Sequence, residues 1–353
     1  LRVRGFASVP VLDVLDFSTG WTDSNTPTRV AASYSGSGAD GVPLDLIGDD
    51  DAASTERYFR IVTFTGDAAK AMSFRAKQGS SATSSVEMYD STAAAVRLRV
   101  TITWTAGVPS TAFSVGSLIS STLIGDGVYR FVVLTTPVTA ANSNRIYAEP
   151  SAFTVAATGT TYMGDFLAWD AATDQLVYDT GYESALPANT DAEDREGVNV
   201  PWVHVTDEDE TARYWRVNIN DTTNADGYVD LSRLVIAGGV QPSFNMNYGA
   251  RLGYEDDTVR TLTDGGAAVY DERDTRRRTV TFRVDGLPEA EAYSGFGGLS
   301  RRGIARQVMF VYDPDDTTLL WQRSFLATLR EPSEFESAIL ARAHTTVTLT
   351  EEI

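Results

Sequence analysis

The feature that most constrains this fold is a strict two-residue alternation of apolar and polar side chains. From Val96 to Trp104, every second residue is apolar, and arginines and threonines fill the positions between. A period of two is typical of a strand that buries one face, so Trp104 is expected in a core. The same alternation returns in three further stretches, at residues 215–219, 280–284 and 347–349.

These strands are short, rich in β-branched residues and separated by turn clusters, including Gly36-Ser37-Gly38, Gly125-Asp126-Gly127 and Asp226-Gly227. Regular short strands of this kind favour sandwiches or barrels. One stretch, Pro288 to Arg302, predicts a helix, because proline suits a first helical position and glutamates follow it. Its glycines predict that the helix is short or broken. The sequence therefore predicts an all-β-dominated fold with one short helix.

The chain of 353 residues is long enough for two or three domains. Composition changes at a polar, acidic stretch in residues 181–201 and again near Gly238-Gly239. We therefore expect four segments. They are an N-terminal strand or arm at 1–20, a sandwich at 21–180, a linker with a strand pair at 181–240, and a β domain at 241–353.

The formal net charge is −19, which works against electrostatic binding to nucleic acid phosphates or to an anionic membrane. No apolar run approaches the ~18 residues of a transmembrane helix, so no membrane insertion is expected. Cysteine is absent, which excludes disulfides and thiolate chemistry. The first twenty residues show no signal-peptide pattern, and the chain opens with Leu1, which leaves upstream residues an open question.

The motifs of cofactor and metal chemistry fail in their context. Gly36-Ser37-Gly38-Ala39-Asp40-Gly41 fits the dinucleotide fingerprint, but Pro43 follows and no helix pattern begins. The loop after Asn220 resembles a calcium loop, yet its bidentate glutamate position holds Arg233. Asp49-Asp50-Asp51 is read as a solvated acidic turn, with a structural cation as the alternative. We expect no cofactor and no metal.

Hydrolytic machinery is also not indicated. No G-x-S-x-G elbow occurs, and the two histidines, His204 and His344, look like polar positions in strands. Paired carboxylates for glycoside cleavage stay open, because 48 acidic residues make some close pair inevitable. The chain is therefore not expected to be an enzyme.

Two groups of residues are candidate interaction surfaces. Aromatic and arginine side chains on a β-rich chain suit polar sugars, and the glycan-binding candidates are Tyr89, Arg97, Arg99 and Tyr129. Arginine clusters toward the C-terminus suit an acidic partner, or pair with the neighbouring Asp271, Glu272 and Asp274. The assembly candidates are Arg276, Arg277, Arg278, Arg301 and Arg302, with Arg273 beside them.

Two stretches resemble structural proteins of tailed bacteriophages. Thr211-Ala-Arg-Tyr-Trp-Arg-Val-Asn-Ile-Asn220, followed by Asp226 to Gly238, resembles the closing strand pair of discoidin-like, galactose-binding-like sandwiches. Residues 1–20 are expected to complete it. The region from Asn245-Met-Asn-Tyr-Gly-Ala250 through Val311-Tyr-Asp-Pro314 to the C-terminus is similar to the tail-tube and distal-tail fold of tail-tip or baseplate proteins.

Residues 21–180 resemble a jelly-roll carbohydrate-binding module, on the strength of Trp21, Gly125-Asp-Gly-Val-Tyr-Arg130 and Tyr162-Met-Gly-Asp-Phe-Leu-Ala-Trp169. Together the resemblances imply a virion protein at a phage tail tip, assembled in the host cytoplasm. Its C-terminal domain would form a ring with its own copies and bind other tail proteins, while its sandwich contacts host polysaccharide. A secreted polysaccharide-active enzyme and a bacterial surface adhesin stay open as alternatives.

Overall fold

The computed structural model describes residues 2–14, 16–17, 20–34, 42–151, 153, 158–184, 201–206, 208–220, 231, 233–256, 258–271, 276–316, 318–331, 334–339 and 341–352. Four predicted features lie wholly or partly outside these residues: the glycine motif at 36–41, the acidic stretch at 181–201, the calcium-like loop with Asp226-Gly227, and Arg273 with Glu272 and Asp274. Two compact units divide the chain. One contains Leu1–Glu183 and Glu210–Thr223, and the other contains Ser184–Asp209 and Asn224–Ile353.

The described part of the first unit is built from sixteen strands. They are β1 (Arg2–Phe6), β2 (Leu12–Val14), β3 (Thr22–Ser24), β4 (Thr28–Tyr34), β5 (Leu44–Asp49), β6 (Arg57–Val62), β7 (Ala71–Gln78), β8 (Thr83–Asp90), β9 (Ala95–Thr105), β10 (Val108–Val115), β11 (Ser117–Gly125), β12 (Val128–Leu134), β13 (Asn144–Glu149), β14 (Gly159–Ala168), β15 (Leu176–Asp179) and β16 (Tyr214–Asn218).

Two antiparallel sheets of the first unit face each other as a sandwich. One is six-stranded, in the order β10-β9-β8-β13-β6-β3, and the other is seven-stranded, in the order β11-β12-β7-β14-β5-β4 with β2 beside β14. Alternate residues of both sheets meet in one apolar core, such as Leu98 and Met88 from the first and Phe74 and Phe131 from the second. Trp104 is 4% exposed in this core, as its place in the alternation predicts.

A third sheet of three strands, in the order β15-β1-β16, belongs to the same unit. Its Phe6 packs with Ala71, Leu167 and Trp169 in a second small apolar cluster, on the face of the seven-stranded sheet that points away from the main core. In β1 the register runs from Arg2 opposite Asn218 to Phe6 opposite Tyr214, so the start of the chain lies beside residues 214–218.

Three arginines are buried between this small sheet and the seven-stranded sheet. Arg2, Arg4 and Arg75 are each no more than 2% exposed. Arg2 donates to Asp165 at 2.9 Å and also pairs with Asp179, and Arg75 contacts both carboxylates at 2.8 and 2.9 Å. Asp165 sits at a bulge of β14 with a φ of 49°, which aims its carboxylate at the arginines.

The surrounding arginines change the pKa of Asp165. Burial by itself raises the pKa of Asp165, but the charges of Arg2 and Arg75 and a hydrogen bond from Arg2 outweigh it and hold that pKa well below its ordinary value. Arg4 adds a salt bridge to Asp165 and another to Asp13 at 2.9 Å. We call these six residues, Arg2, Arg4, Arg75, Asp13, Asp165 and Asp179, the buried ion cluster.

The second unit is built around a sheet in the order β17-β20-β24-β22-β21, with β23 beside β24, and a separate hairpin of β18 and β19. Its strands are β17 (Arg251–Asp256), β18 (Val259–Leu262), β19 (Ala268–Asp271), β20 (Arg276–Pro288), β21 (Gln307–Phe310), β22 (Phe325–Leu329), β23 (Phe335–Ile339) and β24 (Arg342–Glu351). A helical stretch interrupted by a π-helical turn follows β20: α1 (Glu289–Glu291), the π-helical turn (Ala292–Phe296) and α2 (Gly297–Arg302). α3 spans Leu320–Arg323.

The β-dominated fold, the four alternating strands and the interrupted helix at 288–302 are confirmed. The prediction of a strand at His204 is wrong, because residues 201–206 have no regular structure and the His204 ring stacks on Trp202. Asp49 is also not part of a solvated turn. It ends β5 at 2% exposure and accepts a hydrogen bond from the Ser151 hydroxyl at 2.9 Å.

Among the described residues, no helix is long and apolar enough to cross a membrane. The same residues hold no group of three or more His, Asp or Glu side chains suited to a metal ion.

Candidate functional site

The face of the six-stranded sheet that points away from the core carries an unusual set of side chains. In β8, Val86 and Met88 enter the core, so Glu87 points outward; in β13, Ile146 and Ala148 do the same, and Tyr147 points outward. We call this surface of β6, β8, β9 and β13 the outer face. Its members are Arg57, Phe59, Ile61, Ser85, Glu87, Tyr89, Arg99, Arg145, Tyr147 and Glu149.

Arginines and aromatic rings stack in a row across β6 and β13. Phe59 and Tyr147 are opposite each other in the register, with ring centroids 5.5 Å apart. The Arg57 guanidinium lies 4.1 Å from the centre of the Tyr147 ring, and the Arg145 guanidinium lies 5.2 Å from the centre of the Phe59 ring. Such cation–π contacts fix the flat guanidinium groups in place.

Two buried glutamates lie among these arginines. Glu87 accepts a hydrogen bond from Arg99 Nε at 2.6 Å, and Glu149 accepts one from Arg57 at 3.2 Å. Burial raises the pKa of Glu149 to about 8, with Arg57 opposing the shift and Glu87 adding to it. Glu149 therefore keeps its proton at neutral pH and is a donor as well as an acceptor.

Several polar atoms of this face are buried and have no hydrogen-bond partner within the described part of the chain. They are Arg57 Nε, Ser85 Oγ, Arg145 Nε and Glu149 Oε2. Ser85 and Glu149 are opposite each other in the register of β8 and β13, and both are fully buried. Because most buried polar atoms in proteins are paired, this concentration of unpaired atoms sets the outer face apart from an ordinary sheet surface.

The structure brings together three of the four predicted glycan-binding residues. Tyr89 lies opposite Arg145 in the register, half-buried. Arg99 lies over the Phe153 ring at 4.8 Å. Arg97 follows at the bulge of β9 opposite Met88 and Tyr89, where it donates to the buried Asp90 at 3.0 Å.

Tyr129 is not brought to this face. It belongs to β12 of the other sheet and packs against the main core, 6.3 Å from the Trp104 ring. Its place in the alternation, two residues before the buried Phe131, would have indicated this. Sequence reasoning did not identify Arg57, Phe59, Arg145, Tyr147 and Glu149 as candidates. A strand-like pattern was nevertheless present in their segments, Arg57-Tyr-Phe-Arg-Ile-Val62 and Asn144-Arg-Ile-Tyr-Ala-Glu149.

The predicted assembly arginines differ in exposure. Arg276 and Arg277 are exposed on β20, opposite Asp256 and Glu255 of β17. Arg278 is 3% exposed, so the prediction that it docks a partner is wrong. Its side chain donates to Glu351 at 3.0 Å and to the Trp321 carbonyl at 2.7 Å, inside the second unit.

Arg301 and Arg302 are exposed at the end of α2, where they line a shallow depression together with Arg306 and Gln307. His344 is in β24, as predicted, and its Nδ1 lies 2.6 Å from Asp285. The three arginines form a basic patch, and His344 and Asp285 form an ordinary ion pair. Neither group contains a nucleophile or a buried carboxylate.

The second unit also exposes apolar side chains along β17, β18 and β19. Every described residue of β18 and β19 is exposed, and so are most of those in β17. The exposed apolar members are Leu252, Tyr254, Val259, Leu262, Val269 and Tyr270. A two-stranded hairpin exposed on both faces has little stability of its own in water, so contact with another surface would stabilise it.

No family model matches this sequence, and no curated protein matches it. Among solved structures, the enzymatically active domain of tailspike protein 4 of bacteriophage CBA120 aligns with 43% of this chain and 19% of its own, at 10% identity and a TM-score of 0.28. An arabinose-bound α-L-arabinofuranosidase aligns with 47% of this chain and 26% of its own, at 8% identity and a TM-score of 0.29.

A Clostridium thermocellum xylanase with its carbohydrate-binding module aligns with 45% of this chain and 27% of its own, at 12% identity and a TM-score of 0.20. This chain therefore spans less than a third of the length of each of these structures. TM-scores this low support no inference about fold or function.

Proposed function

We propose that this chain is a structural protein of a phage tail tip or baseplate whose first unit binds host-surface polysaccharide through the outer face. One observation carries the glycan part of the proposal. Partly exposed arginines and aromatic rings lie together on one face of the six-stranded sheet, with buried, unpartnered polar atoms among them.

The chemistry of this face suits sugar rings. Saccharides present flat C–H faces to aromatic rings and many hydroxyl groups to polar side chains. Phe59 and Tyr89 are half-buried and supply ring surface, and the partly exposed Arg57 and Arg145 supply donors, with Arg57 held in place by its hydrogen bond to Glu149. An open sheet surface also accommodates a polymer that continues in both directions, as a surface polysaccharide does.

The tail part of the proposal rests on the second unit and on its resemblance to tail-tube and distal-tail proteins. The exposed apolar strands β17, β18 and β19 and the open edge strand β21 offer surfaces for copies of the same chain and for other tail proteins. A heterologous contact of this kind closes into a ring when the rotation between copies allows it.

Binding is tested with the full-length chain on a glycan array that carries bacterial surface polysaccharides, followed by titration with the best ligand. We expect Phe59→Ala and Tyr89→Ala to weaken binding about tenfold or more, as for loss of one stacking ring. Tyr214→Ala, an exposed tyrosine of the three-stranded sheet, is the matched control and should bind normally. Unchanged binding in the Phe59 and Tyr89 variants would refute the assignment of the outer face.

Assembly is tested by mass measurement of the purified chain and by proteomics of purified virions. We expect an oligomer of ring size and recovery of the chain in virions. A Tyr254→Asp and Val269→Asp variant should stay monomeric while retaining glycan binding. A wild-type chain that is monomeric at high concentration and absent from virions would refute the tail assignment.

One observation favours the enzyme alternative: Glu149 is protonated at neutral pH and Glu87 lies near it on the same face. Acid catalysis of glycoside cleavage needs such a protonated carboxyl group beside an ionised one. A reducing-sugar assay with the bound polysaccharide separates the two functions. We expect no turnover. Turnover that disappears in both Glu149→Gln and Glu87→Gln would favour the enzyme.

A further inference from the structure

The outer face carries more positive charge than its own carboxylates neutralise. Arg99 pairs with Glu87, whereas Arg57 hydrogen-bonds to Glu149, which is protonated and carries no charge to neutralise it. Arg97, at the bulge of β9 beside this face, pairs with Asp90. The third arginine of the face, Arg145, has no carboxylate within ion-pair distance in the described part of the chain. This local excess stands out in a protein whose formal net charge is −19.

Arg145 is held in a defined position. Its strand, β13, is central in the six-stranded sheet, and the residue is opposite Ile61 on one side and Tyr89 on the other. Its guanidinium lies over the Phe59 ring, which fixes its plane. Its Nε is buried and has no hydrogen-bond partner among the described residues.

A planar guanidinium with free donors matches a carboxylate, which accepts two parallel hydrogen bonds from it. The neighbouring Tyr89 and the exposed Ile61 provide surface for the ring that bears the carboxylate. Neutral sugars lack a negatively charged acceptor, so they would leave the positive charge of Arg145 unpaired.

We propose that the outer face selects polysaccharides containing carboxylated sugars, and that Arg145 binds the sugar carboxylate. This inference rests on the proposed function, since it names the class of glycan for the same site. Arg57 and Arg99 order the glutamates and rings around Arg145 and contribute to the positive potential.

The chain as a whole repels polyanions, so the selectivity must arise at short range. Salt at 0.15 M screens charges beyond roughly 8 Å, which removes most of the long-range repulsion and leaves the direct contact. We therefore expect the preference for an acidic glycan to persist at physiological ionic strength.

The test uses calorimetric titration of the full-length chain with three probes: an oligogalacturonate, the same oligomer as its methyl ester, and a neutral galactan oligomer. The wild-type chain should bind the free acid at least about tenfold more tightly than the ester. Arg145→Gln keeps the size and polarity of the side chain. It should lose this difference and bind the acid and the ester alike.

Arg330→Gln removes an exposed arginine of the second unit and is the control for net charge; it should retain the preference. Circular dichroism confirms that each variant is folded. Equal binding of acid and ester by the wild-type chain, or a preference that survives in Arg145→Gln, would overturn the inference but leave glycan binding intact. Failure of a broad glycan array as well would instead refute the proposed function.

Discussion

The buried ion cluster makes a quantitative prediction about Asp165. Replacing Asp165 by Asn removes one negative charge but changes neither the size of the side chain nor the backbone, because Asn tolerates the positive φ of 49° as Asp does. Three arginines, each at most 2% exposed, then share the carboxylates of Asp179 and Asp13.

Breaking a buried ion pair by removing one partner costs about 3–5 kcal/mol. We expect Asp165→Asn to lie near the lower end, about 3 kcal/mol, because Asp179 and Asp13 remain to compensate part of the charge. The assay is urea unfolding of the full chain, with hydrogen exchange of peptides from β1 and β14 to assign the loss to the first unit. Asp126→Asn breaks an exposed pair with Lys77 and should cost less than about 0.5 kcal/mol.

The stability difference between the wild-type chain and Asp165→Asn should also depend on pH. The pKa of Asp165 is lowered on folding, so its contribution is present above the ordinary Asp value and is lost as the pH falls through the folded value. The wild-type chain should therefore exceed Asp165→Asn in stability at neutral pH, and the gap should narrow below about pH 4. The account of the buried ion cluster would be refuted if the wild-type chain and Asp165→Asn differed by less than about 1 kcal/mol in free energy of unfolding at pH 7, or if this difference widened in acid.

Three further predictions concern single positions. Burial raises the pKa of Glu149 to about 8, so the free energy of unfolding should fall as the pH rises from about 5 to 8. In urea titrations, Glu149→Gln should reduce the slope of this pH dependence by about 1.4 kcal/mol per pH unit. Arg278→Met leaves Glu351 buried without its partner and should cost about 3 kcal/mol, whereas the exposed Arg277→Met should cost less than about 0.5 kcal/mol; a small loss in both would contradict the buried role. Gly159 has a φ of +137° and an added Cβ would meet Ser81 at 2.9 Å, so Gly159→Ala should lower the melting temperature more than Gly107→Ala, where nothing lies within 4 Å.

Alternation in the sequence predicted the strands that are exposed on one side. β9 and β20 are clear in this respect, since each buries every second residue against an apolar core. The same reading applied backward from Val280 places Arg278 on the buried face, so the sequence contained the signal that separates Arg278 from Arg277. Because the three arginines at 276–278 are consecutive, they were interpreted as one charged cluster.

The outer face was only partly predictable. Arg97 and Arg99 were found because they lie on the polar side of a strongly alternating strand, and Tyr89 because it is an aromatic residue next to Asp90. Phe59 and Arg145 were missed because β6 and β13 lie more than 80 positions apart in the chain, and nothing local indicates that they pair. The raised pKa of Glu149 likewise depends on burial, which only the assembled sheet creates.

The position of β1 has a consequence for biosynthesis. Its residues hydrogen-bond to β15 and to β16, and the second contact joins Arg2 to Asn218. Until the ribosome has added β16, β1 has at most one neighbouring strand, and the arginines it carries lack their full enclosure. β1 is thus synthesised well before its second partner strand, and in nascent chains it should stay protease-sensitive until translation has passed residue 218.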